Sequence, residues 1–237
     1  MNERWSLYID VEGFGSKWDE TTMRAFRGIN TLMEGIFKIG DRLYREPPDR
    51  IFAHQFGDAF LVVSDFHEQS LDRAALVGIS LMRQLLAAGE VAKCALAEGE
   101  LSDIQNCYPD AIRSQYKNGH IGIGSGVMTV TPVMGTALIR TAGLQKKVSG
   151  PLMILPEALR SRMSTGFRLS VISDGKLSLN WLRSEPQGLG VLQKAAGLIQ
   201  STEVERIAAL ESYLSNSTGL SPEWKANASK YLLTDGA

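Results

Sequence analysis

The stretch "WSLYIDVEGFGSKWDE", residues 5–20, decides how the chain is read. "LYIDV" is short and rich in β-formers, and Gly13 and Gly15 allow a tight exit, so a strand is predicted over residues 5–11. That strand ends beside an acid, Asp10, with a second acid, Glu12, two residues on. It either delivers a carboxylate to a metal or merely has a polar end, and the rest of the chain must supply the partners that metal chemistry requires.

Downstream, "ETTMRAFRGINTLMEGIFKIG" predicts a helix entered through Asp19 or Thr21. Met23, Phe26, Ile29, Met33, Ile36 and Phe37 recur there at steps of three and four and form one apolar stripe. "RIFAHQFGDAFLVVSDF" reads as two strands meeting at Gly57-Asp58, a hairpin signal between β-rich runs. A second long helix follows in "SLDRAALVGISLMRQLLAAG", with Gly89 suited to a C-terminal cap, and then a strand in "VAKCALAEGEL". Residues 101–119 look like an excursion from the core. "HIGIGSGVMTVTP" is predicted extended, "GTALIRTAGLQKK" helical, and "GPLMILPEAL" a strand turning into a short helix. The glycine run at 122–126 is read as a bend in the sheet. A second hairpin is predicted at Asp174-Gly175. Beyond residue 185 the sequence contains only helical patterns, so the division is a main α+β domain over 1–185 and a C-terminal helical appendage over 186–237. The expected architecture is an antiparallel or mixed sheet with helices on one face.

Composition narrows the function classes. Twenty-five basic residues against 26 acidic ones leave a net charge of -1, so no broad cationic surface exists to bind nucleic acid or anionic membrane. Cys94 and Cys107 are the only cysteines, too few for a disulfide framework or a Cys-rich zinc site. No window supplies the roughly 20 apolar residues of a membrane span, and the N-terminal segment lacks a signal-peptide pattern. The expectation is a cytoplasmic protein.

Asp10 and Asp58 are the residues with chemistry to offer. A strand-helix-hairpin unit can lay their strands side by side, and paired carboxylates are hard-oxygen ligands suited to Mg²⁺ or Mn²⁺ carrying a triphosphate. The alternative for each alone is a loop cap or a turn residue. His54, His67 and His120 lack metal-ligand spacing, and no Gly-x-Ser-x-Gly elbow is present.

"YIDVEGFG" followed by "HQFGDAF" resembles the metal-binding core of the class III nucleotide cyclases, a phosphorus-oxygen lyase family with a ferredoxin-like palm. The resemblance covers roughly residues 5–155. It implies two ions, Mn²⁺ or Mg²⁺, held by Asp10, Asp58 and the Val11 carbonyl, with the amides of Gly13, Phe14 and Gly15 facing a triphosphate. Lys93, in "AKCALAEGE", matches the family's phosphate-binding base, and "MGTALIRTAGLQK" resembles its transition-state helix. A homodimer with active sites shared between chains is implied as well.

Departures from the family pattern point to the substrate. The purine-reading position six residues before Asp58 is Phe52, and the family's transition-state Asn and Arg fall at Ile139 and Gly143. Arg140, three residues before Gly143 on the same helical face, is the candidate substitute, with a solvated surface arginine as the alternative. An intact metal pair with a rewritten base pocket is similar to the pyrimidine cyclases of Pycsar anti-phage defence. That resemblance implies conversion of UTP or CTP to a cyclic monophosphate sensed by a separate effector protein. Strand alternation puts Arg50, Phe52 and His54 on the face shared with Asp58, where Phe52 would stack on the base and Arg50 or His54 read it; core or solvated roles are the alternatives. The competing readings are a diguanylate cyclase, a conventional purine class III cyclase, and a degenerate cyclase-like nucleotide-binding module. "FGDAF" lacks the second glycine and second acid of the diguanylate cyclase hairpin.

Overall fold

A computed structural model describes residues 3–173 and 175–233. The chain begins with β1 (Arg4–Val11), α1 (Phe14–Glu20) and α2 (Thr22–Leu43), then the hairpin β2 (Ile51–Phe56) and β3 (Ala59–Ser64), α3 (Asp72–Ala87) and β4 (Ala92–Gly99). β4 pairs with β1, β1 with β3, and β3 with β2, each antiparallel. This is the β-α-β-β-α-β unit of a ferredoxin-like fold, and it confirms the expected α+β palm.

An excursion follows: β5 (Ser102–Asp103), a 3₁₀ turn, α4 (Asp110–Arg113), the separate hairpin β6 (His120–Ile123) and β7 (Gly126–Thr129), and β8 (Val133–Met134), which pairs with β5. The run "GIGSG" is therefore the turn of its own hairpin and not a bend in the main sheet. Next come α5 (Thr136–Gln145), β9 (Met153–Pro156), β10 (Leu169–Ser173) and β11 (Lys176–Leu179). β9 joins β4 in parallel and β11 and β10 follow, giving the seven-stranded order β10-β11-β9-β4-β1-β3-β2 among the described residues. The second predicted hairpin forms, although Asp174 lies outside the described residues. α6 (Leu189–Ala196), α7 (Glu203–Asn216) and α8 (Pro222–Leu233) complete the described residues. Their Leu189, Leu210, Trp224 and Tyr231 join the same hydrophobic core as the sheet.

Two expectations need correction. The predicted helix forms as α2, entered through Thr21, but a short helix that was not expected, α1, precedes it, and Thr21 between the two is extended at a φ of -156° and a ψ of 138°. The stripe on α2 is also rotated: Ala25, Ile29, Leu32, Ile36 and Ile39 face the core, whereas Met23 is 83% and Phe37 68% exposed. Apolar residues on two faces of one helix made the period fit either choice.

Helices also cover both faces of the sheet, where one face was expected. Odd-numbered β1 residues Trp5, Leu7, Ile9 and Val11 are buried; α2 approaches that side where Gly28 meets Val11, and α3 where Gly78 meets Leu7. α5 lies on the even-numbered face. The Ser6 hydroxyl reaches the carbonyls of Ala97 and Ala137, and Gln145 reaches Asp10. The spacing agrees, because eight helical residues rise about 12 Å and four strand residues about 13 Å. α5 sits this close because Gly99 has no side chain: a Cβ there would lie 2.3 Å from the Ala137 amide nitrogen.

Gly99→Ala therefore pushes backbone against backbone. It should cost about 2–3 kcal/mol, the upper part of the overpacking range, and lower Tm by about 5–10 °C in thermal unfolding. An unchanged Tm would contradict this contact.

Candidate active site

β1 and β3 bring Asp10 and Asp58 together. Asp10 pairs in register with Ala59, directly after Asp58, and the Val11 amide donates to the Asp58 carbonyl at 3.5 Å. Asp58 stays in this place because Gly57 turns the hairpin at a φ of 66°, a left-handed conformation that glycine adopts without a Cβ penalty and a two-residue turn requires. Burial raises the Asp10 carboxyl above the usual carboxylate range, and the nearby Asp58 charge raises it further. The same two carboxylates, after burial, raise the neighbouring Tyr8 phenol.

Two groups oppose this. Gln145 Nε2 donates to Asp10 Oδ2 at 3.0 Å, and Lys93, the register partner of Asp10 on β4, lends positive charge. Lys93 Nζ donates to the Val148 carbonyl at 3.3 Å and lies 3.8 Å from Glu12 Oε1. Gly13, three residues after Asp10, caps α1 at a φ of 73°, and Phe14 and Gly15 open that helix. Asp10, Val11, Asp58, Gly13 and Lys93 thus gather at one end of the central strands.

The remaining candidates lie elsewhere. Arg50 pairs with Asp65 at 2.6 Å, and its guanidinium sits 5.2 Å from the Phe52 ring centroid. Phe52, His54 and Asp58 are partly buried while Ala53, Gln55 and Gly57 are exposed, which follows the expected alternation. Burial lowers the His54 pKa, with Asp103 acting in the opposite direction. Arg140 Nη1 donates to Glu3 Oε1 at 2.5 Å and to the Glu98 carbonyl at 2.8 Å. Glu98 is five residues along β4 from Lys93, about 16 Å at the strand rise, so Arg140 stands at the far end from its own chain's Asp10. Ile139 is 64% exposed beside it.

Neither Glu12 nor Glu98 is an exposed acid. Glu98 is buried and ion-paired to Arg162, and Glu12 is engaged by Lys93 and by Trp224 Nε1 at 3.1 Å. Gln145 and Trp224 are the residues that the sequence reading missed. Nothing local marks either one, since each meets the site only through the fold.

No protein family matches the sequence, and no curated protein does. Solved structures with similar folds include the guanylyl cyclase Cya2, 13% identical with a TM-score of 0.47, where the alignment covers 76% of this chain and 92% of the other. A dimeric guanylyl cyclase domain of the RhoGC fusion protein from the aquatic fungus Blastocladiella emersonii is 11% identical at a TM-score of 0.49, covering 76% and 94%. A class III adenylyl cyclase-like ATP-binding protein from Pseudomonas aeruginosa is 15% identical at 0.46, covering 82% of this chain and 40% of that one. At TM-scores below 0.5 these likenesses carry no argument about activity, and the site must speak for itself.

Among the described residues no group of three or more His, Cys, Asp or Glu could enclose an ion, and no helix is long and apolar enough to cross a membrane. A pair of carboxylates suits a different ion, one that completes its shell with substrate phosphates and water. The Asp10–Asp58 pair fits that description: a carboxyl raised by its burial and a second carboxylate close enough to raise it further, a charge that a divalent cation would offset.

A testable consequence follows for stability. A carboxyl raised in the folded state binds its proton more tightly there than in the unfolded chain, so the metal-free protein should lose stability as pH rises through the carboxylate range. Asp58→Asn should lessen that loss and raise the metal-free Tm at pH 7–8. Mn²⁺ at a hundredfold excess over its Kd should stabilise the wild type by about 2.7 kcal/mol, and Asp58→Asn should remove most of this. An equal Mn²⁺ shift in both proteins, read by thermal unfolding, would exclude Asp58 as a ligand.

Proposed function

We propose that this chain is a nucleotide cyclase that converts a pyrimidine nucleoside triphosphate, UTP or CTP, into its 3′,5′-cyclic monophosphate and pyrophosphate. The observation that carries this reading is the juxtaposition of Asp10 and Asp58 at adjacent strand ends of a ferredoxin-like sheet, with Lys93 paired across from Asp10. Asp10, Asp58 and the Val11 carbonyl would hold two divalent ions, Mn²⁺ or Mg²⁺. When bound, these supply neutralisation of the triphosphate and a lowered pKa for the attacking hydroxyl.

The chain's own residues orient and neutralise. Lys93 and the amides of Gly13, Phe14 and Gly15 bind the phosphates, and Gln145 fixes the Asp10 carboxylate. The substrate's 3′-oxygen attacks the α-phosphorus, the bond to the bridging oxygen breaks, pyrophosphate leaves, and the hydroxyl proton passes to solvent. Geometry and charge provide the acceleration.

The base pocket is assigned to Phe52, as a stacking platform, with Arg50 and His54 reading the base edge. Phe52 offers no polar contact to select a purine, which favours a pyrimidine. Arg140 stabilises the transition state. Because it stands about 16 Å from its own chain's metal end, it serves a partner's site, and the active enzyme is a homodimer with two shared sites. Residues 1–185 form the cyclase domain and 186–237 an appendage. The product acts in the cytoplasm as a second messenger of antiviral defence, sensed by a separate effector.

A second reading draws on one observation: Ile139 and Gly143 present no hydrogen-bonding side chain where the resembling family has Asn and Arg. It makes the chain a nucleotide-binding module without turnover. Incubation with ATP, GTP, CTP or UTP in Mn²⁺, followed by mass spectrometry, separates the two. Cyclic UMP or cyclic CMP should form, and Asp58→Ala should reduce it about a hundredfold or more. A purine cyclic product would reassign the substrate, and no product from any triphosphate would favour the binding module.

A further inference from the structure

The C-terminal helices reach the residues assigned to the triphosphate. Glu12, two residues after Asp10, is anchored by its own backbone: its amide donates to the Val91 carbonyl at 3.0 Å, and its carbonyl accepts from Lys17 Nζ at 2.9 Å. Its carboxylate has two neighbours. Oε2 accepts from Trp224 Nε1 of α8 at 3.1 Å, and Oε1 lies 3.8 Å from Lys93 Nζ.

Trp224 is itself held. It is 4% exposed, and its ring stacks on Tyr213 of α7 with centroids 5.9 Å apart and planes 30° apart. Lys17, ion-paired to Glu90, places Nζ 5.7 Å from the Tyr213 ring centroid. α8 also braces the other side of the Lys93 seat. Lys93 donates to the Val148 carbonyl, the adjacent Ser149 carbonyl accepts from Asn227 of α8 at 2.8 Å, and Gly150 has little room for a side chain, since a Cβ would come within 3.1 Å of Asn227 Cβ and 3.2 Å of the Trp224 carbonyl.

A lysine ammonium on a four-carbon stem loses much rotamer freedom when it must hold one place. Glu12 and the Val148 carbonyl fix that place before substrate arrives, and α8 fixes both of them. We propose that Trp224 and Glu12 are positioning residues for Lys93, so that the C-terminal helices form part of the triphosphate site. The inference rests on the reading of Lys93 as a phosphate contact.

Trp224→Phe tests it, because the substitution keeps an aromatic ring against Tyr213 and removes the N–H, together with the rest of the five-membered ring. Two readouts are needed. In the ligand-free protein, acetylation of Lys93 by acetic anhydride, followed by peptide mass spectrometry, should accelerate severalfold. Binding of 3′-deoxy-UTP and 3′-deoxy-CTP, which lack the attacking hydroxyl, should weaken about fivefold to tenfold by calorimetry in Mn²⁺, the size of one ordinary hydrogen bond's net contribution.

The weakening must vanish in a Lys93→Ala background, where there is no lysine left to position. Glu203→Gln, which removes the carboxylate paired to Arg183 elsewhere in the appendage, should change neither readout. An unchanged Lys93 acetylation rate overturns the inference, as does a nucleotide affinity that falls equally with and without Lys93. If the wild type binds triphosphate and Trp224→Phe binds it equally well, the inference fails while the cyclase reading stands. If the wild type binds none, the phosphate-site reading fails and takes the inference with it.

Discussion

Two carboxylates at the ends of adjacent strands, partly withdrawn from water, repel one another, and the surrounding structure is arranged about that unfavourable pair. Asp10 cannot leave, because β1 is an interior strand held between β3 and β4 in a fixed register with each. Asp58 cannot leave, because a two-residue turn holds it. What the fold supplies is partial relief: the Gln145 amide from one face of the sheet and the Lys93 ammonium from the next strand. Full relief requires a cation from outside. This is the physical basis for the proposal that the site takes a divalent ion together with an anionic substrate.

The same constraint orders the next layer. α5 delivers Gln145 only because it runs along β1 at close range, which the missing side chain of Gly99 permits. Lys93 keeps its place through Glu12 and the segment after α5, and both lean on α8. The C-terminal helices are therefore joined to the site by chemistry as well as by apolar packing. They bury Leu210, Trp224 and Tyr231 into the main core and reach Glu12, beside the Asp10 end of the sheet, through the Trp224 indole.

Much of the palm was legible in the sequence for local reasons. β1 and the β2–β3 hairpin announce themselves through β-rich runs and a Gly-Asp turn, and the spacing of Asp10 and Asp58 around one helix is what a β-α-β-β unit produces. Where the signal was not local, the reading failed. α2 carries apolar residues on two faces, so periodicity alone chose a stripe that includes the exposed Met23 and Phe37. Gln145 touches Asp10 across 135 residues and Trp224 touches Glu12 across 212, separations at which no motif links the partners. The inward positions of Glu12 and Glu98 are equally non-local, since these acids meet α8 and Arg162.

The central claim is that Asp10 and Asp58 jointly hold metal ions that carry a triphosphate. Anomalous diffraction from crystals grown with Mn²⁺ and 3′-deoxy-UTP tests it most directly. Mn²⁺ peaks in contact with both carboxylates, with the phosphates against Lys93, are the predicted result. A triphosphate bound elsewhere, or Mn²⁺ coordinated by neither aspartate, would contradict the claim.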